Sequence, residues 1–137
     1  MAFTRFVQSA LSEREIRIFG GGEQVRDFTY IDDIVSANLL AADADTTPGE
    51  VVNVSGGSNI SVNEVLDILE GIVGHELRVT RVQKADGDVA RTGGASERAA
   101  ELLGWRSAVT IEQGLERQLT WARDTSDVWM ALPENMV

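Results

Sequence analysis

The sequence has no cysteine, one histidine, one tyrosine and one lysine, and each scarcity excludes some chemistry. Without cysteine there are no disulfides and no thiolate metal ligands. With His75 as the sole imidazole, a metal site would have to be built from carboxylates. Asp86 and Asp88 share a loop that would hold a cation weakly, and a solvated loop is the simpler reading. His75 follows a helix-ending glycine and reads as a surface residue rather than a base. Tyr30 and Lys84 lie far apart, so no tyrosine and lysine stand one helical turn from each other. No apolar run approaches the roughly 18 residues of a membrane span. The start, "MAFTRFVQSAL", lacks the long apolar core and small-residue cleavage site of a secretory leader. No metal and no membrane partner are expected, and the chain reads as cytoplasmic.

What is present is acidic. Asp and Glu number 22 against 12 Lys and Arg, a formal net charge of −10. That balance argues against a DNA or RNA partner, which requires a basic face. All the basic residues but Lys84 are arginines, so any anion must be held locally, against a repulsive overall field. The 137 residues, 43% hydrophobic and 25% charged, suffice for one globular domain with a modest core.

Hydrophobic spacing sets out the elements. Phe3, Phe6, Val7, Ala10 and Leu11 recur at helical spacing and predict an amphipathic helix over 2–13. "EIRIF" (15–19) alternates as a strand, "GGGEQ" has a turn's composition, and "VRDFTYI" (25–31) reads as a second extended segment. Asp32 or Asp33 is the expected N-cap of a helix reaching about Ala44, with Ile31, Val35, Leu39 and Ala42 on its inner face. "VVNVS" (51–55) reads as a β-branched strand, followed by the turn "GGSN". Ser61 and Glu64 form a capping box for a helix through Val65, Leu66, Leu69, Ile72 and Val73, which Gly74 stops. "ELRVTRV" (76–82) alternates as a strand, and 83–94 is polar loop. Ser96 opens a short helix to Leu103 with Gly104 as C-cap. A last helix runs from Thr110 to about Arg123 on an inner face of Ile111, Leu115, Leu119 and Ala122. Residues 124–137 form a partly flexible tail in which Val128, Trp129 and Leu132 can dock. The expectation is one α/β domain over 1–137 with about four strands and five helices.

The stretch "FGGGEQVRDFTYIDD" raises the question of a phosphate-binding loop. A dinucleotide-binding turn needs G-x-G-x-x-G directly between a strand and a helix, so that helix N-terminal amides meet the pyrophosphate. Gly20, Gly21 and Gly22 instead separate two extended segments. Gly56 and Gly57 precede a helix, but Asn59 or Ile60 stands where a third glycine belongs. Both runs read as turns, and no cofactor is assigned to this chain.

Four segments nevertheless form a pattern in order: "GGGEQVRDFTYIDDIVSANLLAA", "PGEVVNVSGGSNISVNEVLDIL", "GDVART", and "ELLGW" with "IEQGLERQLTW". Together they resemble the C-terminal, substrate-binding part of the extended short-chain dehydrogenases, the NAD-dependent nucleotide-sugar epimerase/dehydratase family of the UDP-glucose 4-epimerase type. The resemblance implies an α/β fold lacking most of the Rossmann sheet. In the family an N-terminal half supplies the NAD-binding glycine fingerprint and the catalytic Ser/Thr and Tyr-x-x-x-Lys. None of these is in the sequence, so no catalytic residue is assigned. "VVNVS" resembles the last strand of the family's sheet, whose usual neighbour this chain lacks. Unless the chain refolds locally, such an edge implies a homo-oligomer or a separate N-terminal-type chain as partner.

The resemblance also implies a nucleotide-sugar site, with a ligand such as UDP-glucose. Arg26 matches the arginine that reaches the diphosphate; a guanidinium fork suits phosphate oxygens, and a hairpin would deliver it from a rigid base. Arg17 and Phe19 match the segment alongside the base, Phe28 a nearby aromatic position, and Asp88 an acid that holds the ribose hydroxyls. The competing readings are an ion pair of Arg26 with Asp27 or Asp32, core roles for Phe19 and Phe28, and a solvated loop at Asp88. The family's second diphosphate arginine falls at Ala85, with Lys84 and Arg91 the nearby candidates to replace it. One lost charge-assisted partner costs about 1.5–3 kcal/mol, or roughly ten- to a hundredfold in affinity. Gly94, Ala95 and Glu97 likewise stand where the family has Ala, Asp and Ser. The expected function is a nucleotide-sugar-binding half, not catalytic on its own. The alternatives are a subunit of a split epimerase or dehydratase active with a separate NAD-binding chain, and a ligand-free oligomeric remnant.

Overall fold

A computed structural model describes residues 2–84 and 86–126 of the chain. Among these, five helices and four short strands run in the order α1 (Ala2–Leu11), β1 (Ile16–Phe19), β2 (Val25–Asp27), α2 (Ile31–Asp43), β3 (Asn59–Ser61), α3 (Val62–Val73), β4 (Val79–Val82), α4 (Glu97–Leu103) and α5 (Ile111–Asp124). The fold is α/β, with β1 parallel to β4 and β2 antiparallel to β3. β1 and β2 flank the glycine turn without pairing, which corrects the expected hairpin. The proposed docking of Val128, Trp129 and Leu132 lies outside the described residues.

The chain divides into two compact units. The first takes the residues up to Glu23, Val62–Asp88, and Glu112 onward. Its strands pair with Ile16 opposite Val79 and Phe19 opposite Val82. α1 packs on β1 and α3. Its helical repeat buries Phe6, Val7 and Ala10; Ile16, Ile18, Val65, Leu66 and Leu69 are buried in the same unit. α5 adds buried Leu115, Leu119 and Ala122, as its spacing predicts, while Ile111 is half-buried. α1 stops two residues short of the predicted end. Glu13 takes φ 51°, and the Ser12 and Arg14 amides close the turn on the Gln8 and Ser9 carbonyls at 3.0 and 2.9 Å. That left-handed stop is a place glycine usually fills.

The second unit comprises Gln24–Ser61 and Val89–Ile111. Its core is Ala37, Ala99 and Trp105, with Val52, Val54 and Leu103 packed against it. Gly104 ends α4 with φ 66°, as predicted, and Trp105 follows into the core. The Trp105 indole N–H donates to the Asp33 carbonyl at 2.9 Å and lies 3.1 Å from Ser36 Oγ. The buried Asp33 carboxylate accepts Ser107 O–H at 2.9 Å and the Ala108 and Val109 amides at 3.1 Å each.

Those bonds overturn two expectations about α2. The N-cap is Tyr30, without a side-chain bond, and Asp33 lies inside the helix with its carboxylate committed to 107–109. Holding Asp33 and Ala37 inward leaves Ile31, Val35, Leu39 and Ala42, the predicted inner face, exposed. Small Ala37 admits the Trp105 ring, and buried donors that would otherwise be orphaned outweigh the aliphatic stripe. The predicted strand "VVNVS" is also corrected. Residues 51–55 alternate in burial as a strand does, yet their main chain makes no hydrogen bond among the described residues. The strand forms instead at 59–61, partly within what the sequence offers as a turn.

Candidate functional site

The glycine turn after β1 is gripped by two side chains of the first unit. Asn63 donates from its backbone N–H to the Gly22 carbonyl and from Nδ2 to the Gly21 carbonyl, each at 3.0 Å. Arg81 Nε donates to the same Gly21 oxygen at 3.2 Å, and its Nη2 to Asn63 Oδ1 at 3.2 Å. A Cβ on Gly22 would lie 2.1 Å from Asn63 Oδ1 at a backbone φ of 89°. Glycine is therefore required there by the approach of Asn63.

Arg17 and Phe19 alternate with buried Ile16 and Ile18, so both project from the exposed face of β1. Asp88 is half-buried at the end of the first unit's middle segment, just after Gly87. Arg26 and Phe28 belong to the second unit. Arg26 sits on β2 opposite Ile60 of β3, half-buried, with Nη1 donating to the Val25 carbonyl at 2.8 Å. Phe28 follows the strand and donates its N–H to the Ser58 carbonyl at 3.1 Å. Asp27, one of the ion-pair partners considered for Arg26, accepts the Gly56 amide at 3.0 Å through Oδ1. His75 is exposed, on the rim of a pocket of about 230 Å³ with Ser9, Glu13, Arg14 and Arg78. Among the described residues no three His, Asp or Glu side chains gather to hold a metal ion. No helix among them is long and apolar enough to cross a membrane.

A family model described as "NAD dependent epimerase/dehydratase family" matches residues 1–55. The UDP-glucuronate 4-epimerase of Thermodesulfobacterium geofontis is 35% identical over 129 residues, 93% of this chain and 39% of that protein. A solved UDP-glucuronic acid 4-epimerase from Bacillus cereus, in complex with UDP-glucuronic acid and NAD, superposes with TM-score 0.86 at 30% identity over 90% of this chain and 40% of that one. A UDP-glucose 4-epimerase from Thermotoga maritima with UDP-glucose gives TM-score 0.85 at 34% identity over 92% and 40%. The chain belongs to the NAD dependent epimerase/dehydratase family. It spans about two fifths of the length of the relatives it matches.

The Bacillus cereus enzyme is solved with NAD, and among the described residues of this chain neither glycine run forms a dinucleotide turn. Gly20–Gly22 lead into β2 and Gly56–Gly57 into β3, so neither run presents a helix N-terminus to a pyrophosphate. The space beside Gly22 is filled by Asn63. A Cβ on Gly57 would meet Ser107 Oγ at 2.9 Å and the Phe28 carbonyl at 3.1 Å, so that glycine too serves close packing. Sequence reading missed Asn63, Arg81 and the role of Asp33. Each acts on main-chain groups distant in sequence, which no local spacing reveals; the triple glycine was the one signal that something approaches closely there.

Proposed function

We propose that this chain is a nucleotide-sugar-binding portion of an NAD-dependent epimerase/dehydratase, without catalysis of its own. The observation that carries the reading is Arg26, the single Lys or Arg between Arg17 and Arg78, held half-buried on a strand whose register is fixed by β3. A guanidinium on a rigid strand suits the diphosphate of a nucleotide sugar. Relatives that act on or hold UDP-glucuronic acid and UDP-glucose support a UDP-hexose or UDP-hexuronic acid as ligand class. In this reading Arg17, Phe19 and Phe28 serve the base side and Asp88 the ribose hydroxyls.

A thermal-shift titration against UDP-glucose, UDP-glucuronic acid, GDP-mannose, dTDP-glucose and NAD tests it. A ligand at a hundred times its Kd adds about 2.7 kcal/mol of stability. The expected outcome is a shift with a UDP-sugar and none with NAD. Arg26→Ala should weaken that binding roughly ten- to a hundredfold. No shift with any sugar nucleotide overturns the reading and leaves the oligomeric remnant. A second reading, a subunit of a split enzyme, is favoured by the missing glycine fingerprint and Tyr-x-x-x-Lys beside relatives that hold NAD. It predicts turnover of a UDP-sugar only when a separate NAD-binding chain is added.

A further inference from the structure

The pocket of about 230 Å³ beside His75 lies wholly within the first unit and shares no residue with the proposed nucleotide-sugar site. Its wall comes from two tight turns. One is the stop of α1, where the Arg14 amide closes on the Ser9 carbonyl at 2.9 Å and Glu13 takes its left-handed φ. The other is the turn from α3 to β4. Glu70 grips it twice, taking the Gly74 amide on its carbonyl and the Leu77 amide on Oε1, each at 2.8 Å. The Ile16 amide then donates to the Arg78 carbonyl at 2.7 Å, which joins the two turns. The main chain around the pocket is thereby fixed.

The side chains on it carry charges of both signs, Glu13 and Glu76 against Arg14 and Arg78. Yet the Glu13, Glu76 and Arg78 side chains make no hydrogen bond or ion pair among the described residues. Glu13 supplies a second, independent observation. Its left-handed backbone is costly for any residue but glycine, and its carboxylate makes no bond that offsets the cost. A backbone outlier kept in a pocket wall points to a use for its side chain. His75, the sole histidine, is oriented as well. A carbonyl only accepts, so Nδ1 carries the proton that meets the Glu76 carbonyl at 3.1 Å, and Nε2 is left as an acceptor.

We infer that this pocket binds a small zwitterion, a free α-amino acid, with its carboxylate on Arg14 and Arg78 and its ammonium on Glu13 and Glu76. Ser9 and His75 Nε2 offer the ammonium further acceptors. Size fits: 230 Å³ is the share of about eight liquid waters, below the roughly 300–1,000 Å³ of pockets for drug-sized ligands. Charge fits too. An anion alone would meet two carboxylates and a cation alone two guanidinium groups, and like charges set together oppose binding. A molecule carrying both signs satisfies all four groups. A metal ion fits less well, since no three His, Asp or Glu side chains gather to hold one among the described residues.

His75 gives a single imidazole signal, which serves as the reporter. The isotope-labelled 137-residue chain is titrated with each common L-amino acid at constant pH and followed by NMR. The expected result is a saturable shift of that signal with at least one amino acid. The indole N–H signal of Trp105, buried in the other unit, should stay in place. The N-acetyl derivative and the amide of the same amino acid each lack one charge and should bind at least about tenfold more weakly. Arg78→Gln, at an exposed side chain, should weaken binding by a similar factor with unchanged circular dichroism. Glu13→Gly should weaken it as well while raising the urea midpoint, a loss of ligand beside a gain in fold. An imidazole signal that no amino acid moves saturably overturns the inference. Acetate or inorganic phosphate binding as tightly as the amino acid also overturns it, since the pocket is then an anion site. Full affinity in Glu13→Gly sinks it too, because the outlier then serves no ligand. Loss of the nucleotide-sugar reading touches none of these outcomes.

Discussion

Asp33 and Glu13 both stand near a helix end, and both depart from the usual use of such a position. An acidic residue in a first turn normally serves the amides of its own helix. Asp33 instead gathers the Ser107 hydroxyl and the Ala108 and Val109 amides, more than 70 residues away. Replacing it by alanine orphans those donors, and hydrogen bonds to charged groups are worth about 1.5–3 kcal/mol. Asp33→Ala should therefore lower stability by about 3 kcal/mol, read as a lower urea midpoint at an unchanged m-value. Glu13 holds a left-handed conformation that costs a non-glycine residue about 1–2 kcal/mol. Glu13→Gly should raise stability by about 0.5–1 kcal/mol once the greater freedom of glycine in the unfolded chain is subtracted. The same urea titration checks it, with the opposite sign. The binding change runs the other way at Ala85. If Arg26 holds a diphosphate, Ala85→Arg should tighten a UDP-sugar by up to about tenfold in calorimetry.

Elements whose boundaries come from local chemistry were legible in the sequence. Gly104 closes α4, the Leu115–Leu119–Ala122 repeat gives α5, and alternation over "IRIF" gives β1. The four family-like segments made the α/β class readable as well. What escaped depends on contacts across the chain. Nothing in 31–43 says that a carboxylate rather than an aliphatic stripe will face inward, because the deciding donors lie at 107–109. "VVNVS" carries strand propensity without a neighbour, while "NIS", which overlaps the turn-like "GGSN" at Asn59, finds one in β2. The candidate site was legible as residue types through the resemblance; the Asn63 and Arg81 clasp on the glycine turn was not. That clasp makes its own prediction at the scale of the element. Gly22→Ala drives a Cβ into Asn63 at a φ alanine resists, so it should destabilise by more than about 1 kcal/mol. Asn63→Ala should remove most of that extra penalty in a double-mutant cycle, because the two residues share the contact.

At the scale of the whole molecule, the two units are interleaved along the chain rather than strung end to end. The first draws on three separate stretches and the second on two. Leu119, on the last described helix, is buried in the unit to which α1 belongs. Leu119→Ala should thus cost about 2–5 kcal/mol, and the loss should appear as faster amide exchange in α1 and α3, far away in sequence. Interleaving also sets an order on synthesis. When translation has reached Ile111, every residue of the second unit exists, whereas the first still lacks Leu115, Leu119 and Ala122. α1, with Phe6, Val7 and Ala10, must wait for the later-made α5 before its unit can close. A nascent chain stalled in that window leaves those side chains without their partners, and slow codons between Ile111 and Asp124 should lower the soluble yield more than slow codons placed earlier.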